Sequence, residues 1–365
     1  MNDRDKHRRE ISYLWAGLRA SGTAGDLRRM RIGLSKLRHR FLMSEPTKGR
    51  STLRILAHLP TYVPHAFGGS ESSIQATLAF LHRRGHEVRI LLDESPADSY
   101  EVDGIEVVTH PVRRQMRDMY RWACVVLTQG RSALRSLMLA ATLHRPIALF
   151  VRNIGDWQRL PSRPDLVVFN AEWQMHALDY SNRGLVVHSP IEPAKYLTTP
   201  GDRITLINLN QRKGGHLFTA LVRQMPDVQF LAVVGVWGDQ ILPADLPPNL
   251  EILKPQADVR DVYGRTRVLL IPSKWESFGR VAVEAGLSGI PVVASPNPGT
   301  LEALGDAAIY AHWSDVDDWV RAIKLLEDPA FYSTKSAAVV QAAGRFTGSH
   351  ELEALEEALL DIRSR

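Results

Sequence analysis

The chain has 365 residues, 44% of them hydrophobic, which exceeds what one hydrophobic core usually holds and predicts two domains. The net charge of +5 is uneven: residues 1–50 hold 13 Lys and Arg against 5 Asp and Glu, a net +8, so the remainder has a net −3. Nucleic-acid binding would need a basic face on the folded domains with a recognisable module or aromatic platform, and neither is visible in the sequence. The lone Cys124 excludes an intramolecular disulfide and fits a reducing compartment.

Residues 1–50 carry apolar side chains at helical intervals among Arg and Lys, a pattern typical of basic amphipathic helices. Three partners fit this extension: the protein's own surface or a second copy, an acidic protein or acceptor, and an anionic membrane surface. The sequence contains no run of about 18 apolar residues and no signal-peptide pattern. We therefore expect a soluble cytoplasmic protein, with peripheral membrane contact through residues 1–50 as an open alternative.

A first alternation of strand and helix signals occupies residues 51–188. Strands are predicted at 53–59, 86–92, 123–128, 147–151, 166–169 and from 185 onward, with a turn at Gly68 and Gly69 before a helix at 71–84. Repeated strand–helix order predicts a doubly wound parallel sheet.

A second alternation occupies residues 189–349 and predicts a second parallel sheet. Its strands are expected at 204–208, 228–234, 250–253, 268–271, 291–294 and 307–310. Residues 350–365 form a separate C-terminal segment, in which Leu352, Leu355, Leu359 and Leu360 predict one more amphipathic helix.

Two carboxylates, Glu276 and Glu284, bracket a predicted strand-to-helix turn in the second domain. If both lay on one helix, eight residues would separate them by about 12 Å along its axis. That distance is too long for the paired carboxylates of a glycosidase. With Glu276 on the turn and Glu284 on the helix, each instead reaches a different part of one ligand at the carboxyl edge of the sheet.

These glutamates and the following Ala-Gly-Leu-Ser-Gly-Ile-Pro-Val-Val-Ala resemble the donor-binding signature of retaining GT-B glycosyltransferases, in the large family-four group also called glycosyl transferases group 1. The resemblance implies that Glu276 lies against the donor sugar and Glu284 bonds the nucleotide ribose. It also implies two Rossmann-like domains facing a cleft, with the last helix crossing back to the first domain.

The segment from Asn208 to Gly215 follows the first strand of the second domain and opens a helix. Arg212 and Lys213 beside two glycines supply the positive charge and backbone donors that a diphosphate needs. Lys213 matches the lysine of the family's phosphate loop, whereas Asn208 stands where the family has an arginine. We therefore expect Lys213 to stabilise the leaving group, with Arg212 as a substitute for the missing arginine.

In the first domain, Gly68 and Gly69 lie at a helix start, where backbone N–H groups favour an anion, and they match the family's glycine loop. Arg152 stands where the family places a histidine near the reacting sugar, so it is a further catalytic candidate. Gln129, Asn153 and Trp157 are predicted to face the acceptor.

Other residues are expected to contact the donor through the loops of the second domain: Asn208, Gly214, Gly235, Trp237, Lys254, Ser277, Phe278 and Gly279. Neither an Asp-x-Asp motif in a convincing context nor a ligand cluster with metal spacing is present in the sequence. We expect a metal-independent enzyme whose only co-substrate is the nucleotide sugar.

The resemblance therefore implies a retaining hexosyltransferase that uses a UDP- or GDP-sugar, with the acceptor left open among protein, glycan and lipid-linked molecules. A catalytically silent nucleotide-sugar-binding or scaffold protein is the alternative from another class, because Asn208 and Arg152 replace two residues that the family uses. An epimerase acting on the nucleotide sugar is the alternative enzyme, but the two glutamates favour sugar transfer over epimerisation.

Overall fold

A computed structural model describes residues 52–66, 68–157, 163–180, 184–235, 238–256 and 258–364. The basic helices predicted at 1–50 lie outside these residues, as does Trp237.

The first sheet has eight strands in the order β3-β4-β2-β1-β5-β6-β7-β8, and all neighbours are parallel except β3 and β4. The strands are β1 (Arg54–Leu59), β2 (Glu87–Leu92), β3 (Tyr100–Val102), β4 (Ile105–Val108), β5 (Val125–Gln129), β6 (Ile147–Val151), β7 (Leu166–Phe169) and β8 (Gly184–Val186). The helices between them are α1 (Gly69–Arg83), α2 (Arg113–Trp122), α3 (Ala133–Thr142), α4 (Ile154–Trp157) and α5 (Glu172–Ala177), with a 3-10 turn at Gly130–Ser132.

The second sheet has six parallel strands in the order β11-β10-β9-β12-β13-β14. The strands are β9 (Arg203–Ile207), β10 (Phe230–Val233), β11 (Leu250–Leu253), β12 (Thr266–Ile271), β13 (Val292–Ala294) and β14 (Ile309–Tyr310). The helices are α6 (Gly215–Gln224), α7 (Arg260–Tyr263), α8 (Arg280–Leu287), α9 (Pro298–Leu304), α10 (Val316–Leu325), α11 (Pro329–Gly344) and α12 (His350–Arg363), and 3-10 turns lie at Pro193–Lys195, Gln211–Lys213 and Gly305–Ala307.

Both sheets are buried on two faces. Successive side chains of a strand point to opposite sides and therefore pack into different cores. In β1, Ile55 packs with the core under α1 and α12, whereas Leu56 packs with the core under α2 and α3. In β12, the adjacent residues Leu269 and Leu270 likewise belong to two different cores. The predicted pair of doubly wound sheets is therefore confirmed.

The last helix, α12, packs onto the first sheet. Its apolar residues Leu352, Leu355, Leu359 and Ile362 belong to the same core as β1. Its buried Glu356 pairs with Arg84 at 3.0 Å and with His86 at 3.1 Å. The C-terminal helix thus packs on the first sheet, although it follows the second sheet in the chain.

The strand order of each sheet reverses at one point, between β1 and β5 and between β9 and β12. In open α/β sheets a ligand binds in the crevice outside the carboxyl ends of the strands at this point. In the second sheet, the segment from Asn208 to Gly214 follows β9 and the segment from Pro272 to Gly279 follows β12. The predicted phosphate loop and Glu276 therefore flank the same crevice.

The two sheet domains contact each other through loops at these edges. The Trp173 indole N–H of the first domain donates to the backbone oxygen of Ser277 at 2.6 Å. The Ser277 hydroxyl is 3.2 Å from Asn153 Oδ1. Glu302 of α9 accepts from the backbone N–H groups of Glu172 and Trp173 at 2.7 and 2.9 Å, at the start of α5.

Candidate active site

The lysine loop is held against the end of β12. Its 3-10 turn is capped by Asn210, whose Oδ1 accepts from the Lys213 N–H at 2.9 Å. Gly214 then adopts a left-handed φ of 83°, and a Cβ there would lie 2.6 Å from Pro272 Cγ. Only glycine suits this position, because a side chain would meet both backbone strain and the proline. The packing fixes Lys213 beside the loop that carries Glu276.

Lys213 and Glu276 form an ion pair at the crevice, with Nζ 2.5 Å from Oε1. Gly279, the N-cap of α8, has a left-handed φ of 80°. A Cβ on Gly299, at the start of α9, would lie 2.5 Å from the Glu276 backbone oxygen. The turn bearing Glu276 thus depends on glycine on both sides, and no signal in the sequence singled out Gly299.

Glu284 is buried on α8, with both carboxylate oxygens bonded by the protein. The Tyr263 hydroxyl donates to Oε2 at 2.7 Å and Arg280 Nε donates to Oε1 at 2.6 Å. Burial, together with the charge of Glu284, raises the pKa of Tyr263, so the hydroxyl keeps the proton that it donates. Burial lowers the pKa of Arg280, but Glu284 and Tyr196 more than offset this. The carboxylate is therefore fixed in place as an acceptor.

Arg280 was missed as a site residue by sequence reasoning, although its spacing of four from Glu284 on one helix is typical of an ion pair. It also donates to the Tyr196 hydroxyl at 2.6 Å and to the Pro190 backbone oxygen at 3.1 Å. Arg280 therefore links α8 to the chain that connects the two sheets. Tyr263, which lies 21 residues away in sequence, carried no local signal.

Asn208, in place of the family arginine, has a left-handed φ of 72°. Its side-chain Oδ1 accepts from Gln240 Nε2 at 3.3 Å, and the Gly235 N–H donates to Gln240 Oε1 at 2.8 Å. A Cβ on Gly235 would overlap the Asn208 amide. These two predicted donor residues therefore pack against each other at the ends of β9 and β10.

The remaining second-domain candidates divide between surface and core. Arg212 is exposed at the surface of the lysine loop, and Lys254 is exposed after the edge strand β11. The Phe278 side chain is buried against His188 and Phe346, with ring centroids 4.9 Å apart in both pairs. Only backbone atoms of Phe278 remain to face a ligand.

The glycine loop of the first domain faces the same helix as Glu284. Gly68 is the N-cap of α1 and has an extended conformation. Because no side chain caps the helix here, the N–H groups of its first turn have no capping acceptor. A Cβ on Gly69 would lie 3.8 Å from Arg280 Cδ. Glu71 of the same turn is buried and accepts from Thr61 and Ser70 at 3.1 and 2.9 Å.

Arg152 and Gln129 meet at the carboxyl edge of the first sheet, after β6 and at the end of β5. Arg152 Nε donates to Gln129 Oε1 at 3.0 Å, and both side chains are buried. Burial, together with the charge of Arg280, lowers the pKa of Arg152 to about 10, while the charge of Glu71 opposes this shift. Asn153 is exposed and bonded to Ser277, and Trp157 ends α4.

Residues 202–345 match the sequence family described as "Glycosyl transferases group 1". Among curated proteins, the D-inositol 3-phosphate glycosyltransferase of Mycolicibacterium vanbaalenii is 30% identical over 268 residues, which cover 59% of this chain and 58% of that protein. The protein of the same name from Stackebrandtia nassauensis is 35% identical over 118 residues, 31% of this chain and 27% of that protein. The chain thus spans less than two thirds of these relatives' length.

Solved structures resemble this chain over most of its length. The Anabaena protein Alr3699/HepE in complex with UDP-glucose superposes with a TM-score of 0.71 at 17% identity, covering 85% of this chain and all of that one. Sucrose-phosphate synthase from Thermosynechococcus elongatus superposes with a TM-score of 0.64 at 15% identity, covering 84% of this chain and 98% of that chain. At such identities the likeness concerns the fold, and it confirms the GT-B arrangement.

Within the described residues, no helix is both long and apolar enough to cross a membrane.

The signature around Glu276 and Glu284 lies wholly inside the matched segment 202–345. Residues 202–345 therefore resemble the glycosyl transferases group 1 family, and the two sheet domains form a GT-B fold.

Proposed function

We propose that this protein is a retaining glycosyltransferase that moves a sugar from a nucleoside-diphosphate sugar to a hydroxylated acceptor. The observation that carries the proposal is the Lys213–Glu276 pair at the strand-order reversal of the second sheet, with Glu284 fixed on the helix that follows. The Lys213 cation suits a phosphate, and the carboxylates of Glu276 and Glu284 suit hydroxyl groups. These three side chains match the diphosphate, the sugar and the ribose of a sugar nucleotide.

The donor would lie across this crevice. Its diphosphate would meet Lys213 and the N–H groups at the starts of α1 and α6, and Glu276 would accept from sugar hydroxyls. Glu284 would accept from the ribose hydroxyls, sharing oxygens that already accept from Tyr263 and Arg280. We favour UDP over GDP as the carrier, because HepE, which shares the fold, is described in complex with UDP and UDP-glucose.

In the proposed reaction, the bond between the sugar anomeric carbon and the β-phosphate oxygen breaks, and an acceptor oxygen bonds to the same face of that carbon. The acceptor proton passes to the departing phosphate, so no protein base is required. Lys213 would stabilise the charge that develops on the leaving diphosphate. The two domains would supply orientation, which is the other large contribution to such a reaction. Metal independence stays a prediction.

The test is incubation of the full chain with UDP-glucose and GDP-glucose, with nucleoside diphosphate release followed over time. We expect slow release from one donor even without an acceptor, and NMR of the freed sugar should show the α anomer first if the configuration is retained. Nucleotide binding without any release would instead support the silent binding protein, the alternative suggested by Asn208 and Arg152 at two positions where the family has other residues. A rearranged sugar nucleotide would indicate an epimerase.

A further inference from the structure

Arg152 is a buried cation with an unused hydrogen-bond donor. Its side chain is 7% exposed, its Nε is engaged by Gln129, and its guanidinium lies 5.3 Å from the Phe150 ring centroid. Its Nη2 is buried and has no hydrogen-bond partner among the described residues. A buried guanidinium nitrogen without an acceptor is costly, so its presence calls for a partner that the protein does not supply.

The charges around Arg152 leave it without a bonded counter-ion. No carboxylate of the described residues forms an ion pair with it, and the nearby Glu71 accepts from Thr61 and Ser70 instead. Arg280, from the other domain, adds positive charge, and its own partner is Glu284. The space beside Arg152 is therefore electropositive and suited to an anion.

Arg152 also lies opposite the donor site. The next residue, Asn153, is 3.2 Å from the hydroxyl of Ser277, which directly follows Glu276. The Arg152 backbone oxygen accepts from Gln174 at 3.1 Å, and Gln174 Oε1 is buried without a partner among the residues that the structure describes. Within the same residues, Asn170 Oδ1, just after the neighbouring strand β7, is also buried and unpartnered. Arg152 Nη2 is thus a buried donor, and Gln174 Oε1 and Asn170 Oδ1 are buried acceptors, all near the carboxyl edge of the first sheet.

We propose that Arg152 receives a carboxylate or phosphate carried by a sugar-like substrate in the cleft. The forked guanidinium suits this group, because a planar set of donors binds oxyanions with defined geometry, which lysine or histidine lacks. The anion belongs either to the transferred sugar or to the acceptor. This inference rests on the proposed function and makes Arg152 a specificity-determining residue, beyond the general catalytic role expected for its position.

The experiment compares wild type with Arg152→Met, which keeps the apolar stem, and Arg152→Lys, which keeps the charge without the fork. Arg145→Met is the matched control: Arg145 precedes the same strand β6 at its opposite end, and its buried Nε also has no hydrogen-bond partner in the part of the chain that the structure describes. Calorimetry compares the affinities of UDP-glucose and UDP-glucuronate, in which a carboxylate replaces the C6 hydroxymethyl group of glucose. A second arm titrates inorganic phosphate and free glucuronate into the UDP-loaded protein.

If the sugar carries the anion, wild type and Arg145→Met prefer UDP-glucuronate by about tenfold or more, a difference expected for one charge-assisted hydrogen bond. If the acceptor carries it, the two donors bind alike and phosphate or glucuronate binds saturably to the UDP-loaded protein. In both cases Arg152→Met abolishes the effect and Arg152→Lys restores part of it. UDP binding without any Arg152-dependent anion response overturns the inference and leaves the proposed function standing. Failure of UDP to bind contradicts the proposed function, and the inference falls with it.

Discussion

At the scale of single residues, the two basic side chains of the phosphate loop differ in what they touch. Lys213 pairs with Glu276 at 2.5 Å and is one-third exposed to the crevice, whereas Arg212 points to the surface. Both were candidates for the leaving-group charge from their positions in the sequence. The geometry favours Lys213, because only its charge lies beside the carboxylate expected to face the sugar.

We predict that Lys213→Met lowers donor turnover by on the order of 10² or more, the typical loss when one group that stabilises developing charge is removed. Arg212→Met serves as the matched control and should change turnover less than about threefold, since an exposed charge is screened by solvent. Steady-state release of nucleoside diphosphate measures both variants. Equal losses, or a larger loss in Arg212→Met, would contradict the assignment of Lys213.

At the scale of elements, the position of Glu276 depends on two glycines, of which one could be identified from the sequence and the other could not. Gly279 follows Glu276 within the motif and needs its left-handed φ, so the sequence pointed to it. Gly299 lies 23 residues after Glu276 in sequence and matters only because α9 starts against the Glu276 backbone. The first kind of constraint is local and predictable, whereas the second depends on packing that no single segment encodes.

We predict that Gly299→Ala displaces the Glu276 turn, since the new Cβ would lie 2.5 Å from a backbone oxygen. The expected cost is about 1–3 kcal/mol of unfolding free energy, as for other overpacked sites, together with reduced turnover. Gly344→Ala, at the end of α11, is the control because its Cβ would meet no atom within 4 Å. Chemical denaturation and activity assays measure both, and a Gly299→Ala protein with wild-type stability and turnover would refute the packing argument.

The strand and helix alternation was predictable to within about three residues at most element ends, because buried parallel strands are short apolar runs bounded by turn residues. The antiparallel hairpin of β3 and β4 was missed. Its signal was present: Asp103 and Gly104 both have positive φ, as a tight hairpin turn requires, between apolar residues on either side. In contrast, the hydrogen bond between Tyr263 and Glu284 is a tertiary contact that no local sequence pattern predicts.

At the scale of the whole molecule, His188 joins three parts of the chain just after β8. Its Nε2 lies 2.7 Å from Glu302 of α9, and its Nδ1 lies 2.7 Å from Glu351 of α12. Its ring packs against Phe278 and Phe346. Burial lowers the pKa of His188, but hydrogen bonds and charges from Glu302 and Glu351 outweigh this and raise it to about 9. At neutral pH the ring is therefore a cation between two carboxylates.

This raised pKa predicts a pH dependence of stability. A group whose pKa is higher in the folded protein than in the unfolded chain stabilises the fold fully below its unfolded value of about 6.5, and the contribution is lost as pH rises through about 9. The loss is at most about 3 kcal/mol. Denaturant titrations between pH 6 and 10 should show a decline in wild type that is smaller in His188→Gln. Parallel pH profiles for the two proteins would contradict the charged bridge.

The pairing of Glu284 with Tyr263 and Arg280 makes the donor site directly testable by calorimetry of UDP with wild type, Glu284→Gln and Tyr263→Phe. The two variants disturb the same buried hydrogen bond, but only Glu284→Gln removes the carboxylate proposed to hold the ribose. The account predicts binding in wild type and in Tyr263→Phe, and a loss of about tenfold or more in Glu284→Gln. Equal UDP affinity in all three proteins, or no binding in wild type, would contradict the claim that this crevice is a nucleotide-sugar site.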